Sequence, residues 1–336
     1  MRSMFTSVDN LSVEERTDLS GQTLDGQYRV GSRLGGGGTG IVFDGMCLRS
    51  HKPVALKTLR PHLIHQADLA ARLRREHEVS RRVMHPGIVR FFGEGVLYDG
   101  SPYLAMPRLR GVSLGRLMDR YGELPTHVVL LLASRLSSIL HSAHMAGYVH
   151  RDVKPEHILL TETSQAELRV HLLDFGVCWT STADAAERKR ESGRVFGTPH
   201  YVSPEQAAGE PVIDGRADLF GLGVVMFEAL TGNVPFSAAT VTKLLVKIIR
   251  DDAPRVRDFV EIEPAIDELV AQLLARDPDK RMKSARALSR ALLPYAPLRA
   301  EAERQLLGYV RETCGASASS ATVERKAPAL RKYQVA

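Results

Sequence analysis

Apolar residues between Tyr28 and about Arg60 form short runs that alternate with turns containing glycine. The runs read YRVGSRL, GIVFDGMCL and PVALKTL. Apolar runs of this length bounded by turn residues are typical of β-strands, and strands that follow one another across short turns pair antiparallel. We therefore predict an antiparallel meander in this part of the chain.

A helical pattern follows the meander over residues 66–83. One side of the predicted helix carries residues three or four positions apart, namely Leu69, Leu73, Glu76, Val79 and Val83. The sequence His85-Pro86-Gly87 ends this helix, because proline and glycine interrupt a helical pattern. Further along the chain we predict strands at 88–97 and 103–106, and helices at 114–120, 126–146, 217–230, 240–250, 266–275 and 284–293.

The change from strands to helices predicts an α+β fold with two lobes. We expect a small lobe with an antiparallel sheet and one helix over 28–106, a connection at 107–111, and a larger, mainly helical lobe over 112–296. Residues 1–27 carry no sustained period, so we expect a flexible extension there. Residues 297–336 become rich in Ala, Ser, Arg and Glu, so we expect a partly disordered tail.

Composition narrows the class of protein. The 336 residues are 44% hydrophobic and 25% charged, with a formal net charge of +6. These are ordinary globular values, and so small a basic excess does not indicate nucleic-acid binding. The three cysteines, Cys47, Cys178 and Cys314, lie far apart and form no Cys-x-x-Cys pair, which favours reduced thiols in a cytoplasmic protein. The most apolar predicted helix, 219–230, is too short to cross a bilayer, so we expect no membrane association.

A glycine-rich segment, GGGGTGIV at 35–42, fits the pattern G-x-G-x-x-G-x-V. A dinucleotide-binding site would need a helix after the glycines, whereas here a strand follows. A hairpin of glycines lets backbone N–H groups approach phosphates closely. The candidate nucleotide-binding residues of this segment are Leu34, Gly35, Gly36, Gly37, Gly38, Thr39, Gly40, Ile41 and Val42.

Lys57 ends the apolar run Val54-Ala55-Leu56-Lys57 on the next predicted strand. A lysine in such a run either extends its amine to solvent or pairs with an acid, because burial of an unpaired charge is costly. On the following helix we favour Glu76 as the partner. Glu78 lies two residues further and therefore faces another way.

The most specific pattern is VHRDVKPEHILL at 149–160, followed by LLDFG at 172–176. These segments resemble the catalytic loop and the magnesium-binding segment of protein kinases. The H-R-D-x-K-P-E form is similar to that of serine/threonine kinases, including the bacterial group. The resemblance runs from about Tyr28 to Leu293 and implies the two-lobed kinase fold, with ATP and Mg²⁺ as cofactors and proteins as substrates.

The resemblance also implies roles for single residues. Asp152 is expected to accept the proton of the substrate hydroxyl, and Lys154 to hold the transferring phosphate. Lys57 is expected to hold phosphate oxygens, and Asp174 to ligate Mg²⁺. Contacts to adenine are expected from four further residues, namely Ala55, Met106, Leu109 and Leu159.

A second block, GTPHYVSPE at 197–205, resembles the loop that closes the activation segment of these kinases. By resemblance, Thr198 should hydrogen-bond Asp152 and Lys154. Glu205 should pair with Arg281. Asp218 is expected to accept hydrogen bonds from backbone N–H groups of the catalytic loop. The candidate sites of phosphorylation, with self-association for autophosphorylation, are Thr180, Ser181, Thr182 and Ser192.

His157 departs from the kinase pattern, which has asparagine as a metal ligand at this position. Neutral imidazole is a poor ligand for Mg²⁺, which prefers oxygen, although it suits softer divalent ions. Three interpretations stay open: a slow kinase that uses one ion, a kinase shifted towards Mn²⁺, and a nucleotide-binding pseudokinase. A kinase that acts on small molecules is less favoured, because Lys154, Thr198 and the segment Ser203–Glu205 are typical of kinases that act on proteins.

Overall fold

A computed structural model of the chain describes residues 18–36, 40–63, 65–180 and 198–317. The chain divides into two compact units. The first comprises the residues up to Arg81 together with Arg90–Leu109, and the second comprises Arg82–Val89 together with the chain from Arg110 onward.

The first unit contains the predicted meander within a larger antiparallel sheet. The sheet consists of β1 (Thr23–Leu24), β2 (Tyr28–Gly36), β3 (Gly40–Cys47), β4 (Pro53–Leu59), β5 (Gly93–Val96) and β6 (Pro102–Pro107). Their order across the sheet is β1-β2-β3-β4-β6-β5. One helix, α1 (Ala67–Arg82), corresponds to the helix predicted at 66–83.

Residues 18–27 pack onto the first unit through Leu19 and Leu24, so the expectation of a flexible extension is wrong for this part. Leu19 and Leu24 are buried in one cluster with Tyr28 and Phe43. Strand β1 pairs with β2, and the hydroxyl of Tyr103 donates a hydrogen bond to Asp25. Residues 1–17 lie outside the described part of the chain.

The second unit contains all the predicted helices from residue 114 onward. Its helices are α2 (Leu114–Tyr121), α3 (Thr126–Met145), α4 (Pro204–Ala207), α5 (Arg216–Thr231), α6 (Val241–Arg250), α7 (Pro264–Leu273), α8 (Ala285–Ala291) and α9 (Arg299–Ser317). Its strands are β7 (Gly111–Ser113), β8 (Tyr148–Val149), β9 (Ile158–Glu162), β10 (Leu168–Leu172) and β11 (Trp179–Thr180). The strands form two small antiparallel sheets, β10-β9-β7 and β11-β8.

Helix α3 has the length and composition of a membrane-spanning helix. Among the described residues it alone passes that test, with 61% of its apolar window buried inside the protein. It packs against α5, α8 and α9, which is the environment of a core helix. Helix α3 corresponds to the helix predicted at 126–146.

Helix α9 occupies the first half of the segment 297–336, for which the sequence predicts a partly disordered tail. Ala302, Leu306 and Val310 are buried on one side of it, spaced four residues apart. Next to Val310, Tyr309 stacks on Tyr121 of α2, with 4.3 Å between the ring centroids. The folded second unit therefore extends through α9, and residues 318–336 lie outside the described part.

Candidate active site

Lys57 and Glu76 form an ion pair within the first unit. The Nζ atom of Lys57 on β4 lies 2.8 Å from Oε1 and 2.9 Å from Oε2 of Glu76 on α1. Only 18% of the lysine side chain and 9% of the glutamate side chain are exposed. The pairing predicted with Glu76 is confirmed, and the two-pronged contact holds the ammonium group in one position despite its burial.

Two antiparallel strands, β2 and β3, flank the glycine-rich segment that is predicted to bind phosphate. Gly36 pairs with Ile41, and Gly35 with Val42, across β2 and β3. The Ile41 side chain is buried, whereas Leu34 is exposed. Three candidate residues at the tip, Gly37, Gly38 and Thr39, lie outside the described residues.

The remaining candidates of the first unit lie on neighbouring strands. Lys57 pairs with Val42 of β3, and Ala55 with Met106 of β6. Leu109 is the last residue of this unit. The candidate Leu159 belongs to the second unit, on β9, and pairs with Ser113 of β7.

Asp152, Lys154 and Thr198 form a hydrogen-bonded group in the second unit. The backbone N–H of Thr198 donates to Oδ1 of Asp152 over 2.9 Å. Lys154 Nζ lies 3.0 Å from Oδ2 of Asp152 and donates to the Thr198 hydroxyl over 2.6 Å. The contacts expected between Thr198 and the two catalytic-loop residues are confirmed, although the contact to Asp152 uses the backbone.

The charge of Asp152 is stabilised by its neighbours. Burial alone would raise the pKa of this carboxyl, but His157 and Lys154 outweigh burial and lower it below its usual value. Asp152 is therefore an ionised acceptor at neutral pH, and it holds a fixed orientation because both carboxylate oxygens have partners.

Asp218 fixes the backbone of the catalytic loop, as predicted. Its carboxylate accepts from the N–H of His150 over 2.8 Å and from that of Arg151 over 2.7 Å. Arg151 has a positive φ of 66°, a conformation that costs free energy in a residue other than glycine. The two hydrogen bonds to a buried carboxylate hold this conformation in place.

His157 lies between the two candidate acids. Its Nδ1 is 3.0 Å from the backbone carbonyl oxygen of Asp152, and its Nε2 is 3.3 Å from Oδ2 of Asp174. A carbonyl oxygen only accepts, so Nδ1 carries the hydrogen, and in a neutral ring Nε2 has a lone pair. A lone pair facing a carboxylate is unfavourable unless a proton or a metal cation lies between them.

Asp174 is the residue expected to ligate Mg²⁺. It has a left-handed backbone with a φ of 64°, and 40% of its side chain is exposed. The next residue, Phe175, packs edge-on against His150 with 4.5 Å between the ring centroids. His150 also contacts the carbonyl oxygen of Leu173 over 2.9 Å, so one buried ring supports both sides of this segment.

Glu205 and Arg281 form the predicted ion pair. Two hydrogen bonds of 2.6 and 2.7 Å join the guanidinium to the carboxylate. The exposed fraction is 0% for the arginine side chain and 6% for that of the glutamate. The pair fixes the chain directly after Ser203, whose hydroxyl caps α4.

Sequence reasoning missed two residues that support the catalytic loop. His144 Nε2 lies 2.7 Å from Oδ2 of Asp218, and the Gln206 amide donates to the carbonyl oxygen of Arg151 over 3.0 Å. A polar residue at the end of the apolar helix α3 is the signal that indicates His144. Nothing in the local pattern indicates Gln206, because its partner is distant in sequence.

The structure describes the candidate phosphorylation sites only in part. Thr180 lies on β11, whereas Ser181, Thr182 and Ser192 lie outside the described residues. Within the described ranges, no cluster of three or more His, Cys, Asp or Glu side chains forms a metal cage.

Comparisons with known proteins agree with the motifs. The family described as "Protein kinase domain" matches residues 28–293. Serine/threonine-protein kinase pkn3 of Myxococcus xanthus is 33% identical over 313 residues, which are 92% of this chain and 56% of that protein. PknB of Mycolicibacterium smegmatis is 33% identical over 79% of this chain and 42% of its own length. PknL of Mycobacterium tuberculosis is 34% identical over 81% of this chain and 66% of its own length. The chain thus spans 42% to 66% of the length of these relatives.

Proposed function

Because this chain belongs to the protein kinase family, we propose that it transfers the γ-phosphate of ATP to serine or threonine side chains of proteins. The observation that carries the proposal is the group formed by Asp152, Lys154 and Thr198. Lys154 Nζ lies within 3.0 Å of Asp152 and 2.6 Å of Thr198. Lys154 and the threonine are typical of kinases that act on proteins, and the relatives compared above are named serine/threonine-protein kinases.

In this proposal Asp152 orients the substrate hydroxyl and accepts its proton. Its lowered pKa keeps it ionised at neutral pH, and the Thr198 N–H fixes one of its oxygens. Lys154 supplies positive charge where the transferring phosphate redistributes its negative charge. Both groups act by position and charge, which is what a loose phosphoryl-transfer transition state requires.

ATP and a divalent cation fit the remaining residues. Lys57, held by Glu76 at 2.8 Å, offers a fixed ammonium group for phosphate oxygens. Asp174 offers a hard carboxylate ligand, and His157 directs Nε2 towards the same carboxylate at 3.3 Å. The bound cation would neutralise phosphate charge. An oxygen–nitrogen donor pair favours Mn²⁺ relative to Mg²⁺, since imidazole is a better ligand for the softer ion.

A second candidate function is a nucleotide-binding pseudokinase. The observation that favours it is His157, whose nitrogen replaces the oxygen donor expected of asparagine. Such a protein would bind ATP, with Lys57 at the phosphate oxygens, and transfer little phosphate. The two functions differ in turnover and not in fold.

The test is phosphate incorporation from labelled ATP by the purified chain, with Mg²⁺ or Mn²⁺. Its own serines and threonines and an added serine-containing protein serve as acceptors. The kinase proposal expects incorporation at serine or threonine that disappears in Asp152→Ala. Nucleotide binding without incorporation under either metal would overturn it in favour of the pseudokinase. Incorporation that survives Asp152→Ala would overturn the role of this carboxylate.

The proposal extends to partners and location. We expect protein substrates, and self-association where the chain phosphorylates itself. A cytoplasmic location suits ATP-dependent chemistry and the wide spacing of the three cysteines, which form no Cys-x-x-Cys pair.

A further inference from the structure

A crevice of about 740 Å³ opens on the second unit. It lies between α3, the β9–β10 hairpin and the first turns of α9. Its lining includes none of the candidate catalytic or metal-binding residues. The volume falls within the range of about 300–1,000 Å³ that is usual for sites that bind small organic molecules.

The lining of the crevice carries an excess of positive charge. It includes four arginines and two glutamates, and hence two more positive than negative charges. One arginine, Arg135, is neutralised by an ion pair with Glu303. The other three arginines, offset by the single remaining glutamate Glu167, carry the positive excess.

These three guanidinium groups lack a carboxylate partner within the described part of the chain. Arg299 donates to the neutral hydroxyl of Ser134 over 3.2 Å. Arg169 on β10 and Arg304 on α9 are exposed, and neither forms an ion pair with a described residue. Each guanidinium group presents a planar fork of donors that matches the oxygens of a phosphate.

His85 borders the crevice without adding charge to it. The backbone N–H of Gly87 donates to its Nδ1 over 2.9 Å, so Nε2 carries the hydrogen, and it lies 3.1 Å from the Ser138 hydroxyl. Burial lowers the pKa of His85, which favours the neutral ring. The attraction for an anion therefore rests on the arginines.

The floor of the crevice is apolar. Ile139 and Val170 are buried beneath it, and Leu168 and Leu307 contribute half-buried side chains. A bare phosphate would leave this apolar surface in contact with water. An organic group attached to the phosphate would cover it, which is favourable in proportion to the area removed from water.

We propose that this crevice binds a small organic molecule that carries a phosphate group. Arg169 and Arg304 hold the phosphate oxygens, and the organic part lies against the half-buried side chains of Leu168 and Leu307. The binding is reversible and electrostatic in part, so it weakens as the salt concentration rises.

Isothermal titration calorimetry on the full chain tests the proposal with phenyl phosphate, which joins a phosphate to an apolar ring. We expect phenyl phosphate to bind more tightly than inorganic phosphate. Loss of one charged hydrogen-bond donor should weaken binding by at least about tenfold in Arg169→Gln and in Arg304→Gln. The matched control is Arg286→Gln, an exposed arginine of α8 outside the crevice, which should bind as the wild type does.

Lys57→Met separates this site from the proposed ATP site. Binding that persists in Lys57→Met and is lost in Arg169→Gln supports the crevice. Binding that is lost in Lys57→Met and kept in both crevice variants places the phosphate elsewhere and overturns the proposal. So does equal affinity in all variants, or the absence of any heat of binding. A phosphoserine peptide that binds more tightly than phenyl phosphate would replace the small molecule with a phosphorylated protein segment.

Discussion

The Nδ1 atom of His157 lies 3.0 Å from the backbone carbonyl oxygen of Asp152. Asparagine at this position would make the same kind of contact with its amide N–H, so histidine preserves the support of the catalytic loop. The difference lies on the other side of the ring. There Nε2 replaces an amide oxygen, 3.3 Å from the Asp174 carboxylate. The substitution therefore alters the metal ligand and keeps the positioning contact.

We predict that His157→Asn raises phosphate transfer with Mg²⁺ and lowers the preference for Mn²⁺. The physical reason is that Mg²⁺ prefers an oxygen ligand, whereas imidazole suits softer ions. The measurement is the initial rate with each metal at equal ATP concentration. His157→Ala is the matched control, since it removes both the metal donor and the contact to Asp152 and should be slower with either metal. An unchanged ratio of the two rates in His157→Asn would contradict the assigned metal role.

The sequence predicts those contacts of the site that follow from helix geometry or from a known motif. The facing of helix residues distinguishes Glu76 from Glu78 on spacing alone. The kinase motifs identified Thr198 and Asp218 as supports of the catalytic loop. Each of these contacts is present.

The parts that sequence reasoning missed depend on partners far along the chain. Leu306 and Val310 have helical spacing, but a composition rich in Ala, Arg and Glu concealed it, and the surface that they cover belongs to other helices. Leu19 is likewise buried only because it packs in one cluster with Tyr28 and Phe43. Burial of such short apolar patterns is decided by tertiary packing, which a single sequence does not display.

Glu76→Gln should weaken ATP binding, because Lys57 then loses the charge that holds its amine at 2.8 Å. We expect the dissociation constant for ATP to rise by at least about tenfold, the effect of about 1.4 kcal/mol. Equilibrium binding of a fluorescent ATP analogue measures it. Glu78→Gln, on another face of α1, is the matched control and should bind as the wild type does. Equal losses in the two variants would indicate a general effect of helix charge.

Glu205→Ala should destabilise the second unit strongly, because it leaves the buried Arg281 guanidinium without its partner. Breaking a buried ion pair typically costs about 3–5 kcal/mol. Urea-induced unfolding measures the free energy. Asp279→Ala breaks the exposed contact to Arg216, in which 88% of the aspartate side chain is accessible. This control variant should lose less than about 1 kcal/mol of the free energy of unfolding. A similar small loss in Glu205→Ala would contradict the structural role of the pair.

His171 should make stability depend on pH. Burial, together with the nearby charge of Arg169, lowers its pKa to about 4, and its Nδ1 is buried without a hydrogen-bond partner in the described residues. The unfolded chain binds a proton near pH 6.5, but the folded chain does not until about pH 4. Stability from this residue is therefore present above pH 6.5 and is lost as the pH falls towards 4.

The lowered pKa of His171 corresponds to a loss of about 3 kcal/mol in the free energy of unfolding between pH 6.5 and pH 4. We expect His171→Gln to flatten the slope of unfolding free energy between pH 7 and pH 4.5, whatever its stability at pH 7. His141→Gln, a half-exposed histidine of α3, controls for the loss of an imidazole. Urea titrations at several pH values provide the slope. A slope in His171→Gln as steep as in the wild type would assign the pH dependence to other groups.

Removal of residues 299–336 should destabilise the second unit, whereas removal of residues 318–336 should not. The longer deletion exposes the surface that Leu306 and Val310 cover. It also removes the stack of Tyr309 on Tyr121, whose rings lie 4.3 Å apart. Burial of one large aliphatic side chain is worth about 1.5–3 kcal/mol, so we expect a loss of at least about 3 kcal/mol in the free energy of unfolding.

Point variants keep this test meaningful if the longer deletion does not fold. Leu306→Ala should lower the free energy of unfolding by about 2–5 kcal/mol, the usual effect of replacing a buried leucine by alanine. Glu301→Ala, at an exposed position of the same helix, should cost almost nothing. Chemical denaturation of all the variants supplies the comparison. If the chain ending at residue 298 unfolds with the free energy of the full chain, or if the two point variants behave alike, then α9 adds nothing to the stability of this unit. The burial of Ala302 and its neighbours predicts the opposite, because apolar side chains on one face of a helix contribute stability only by packing against the rest of the fold.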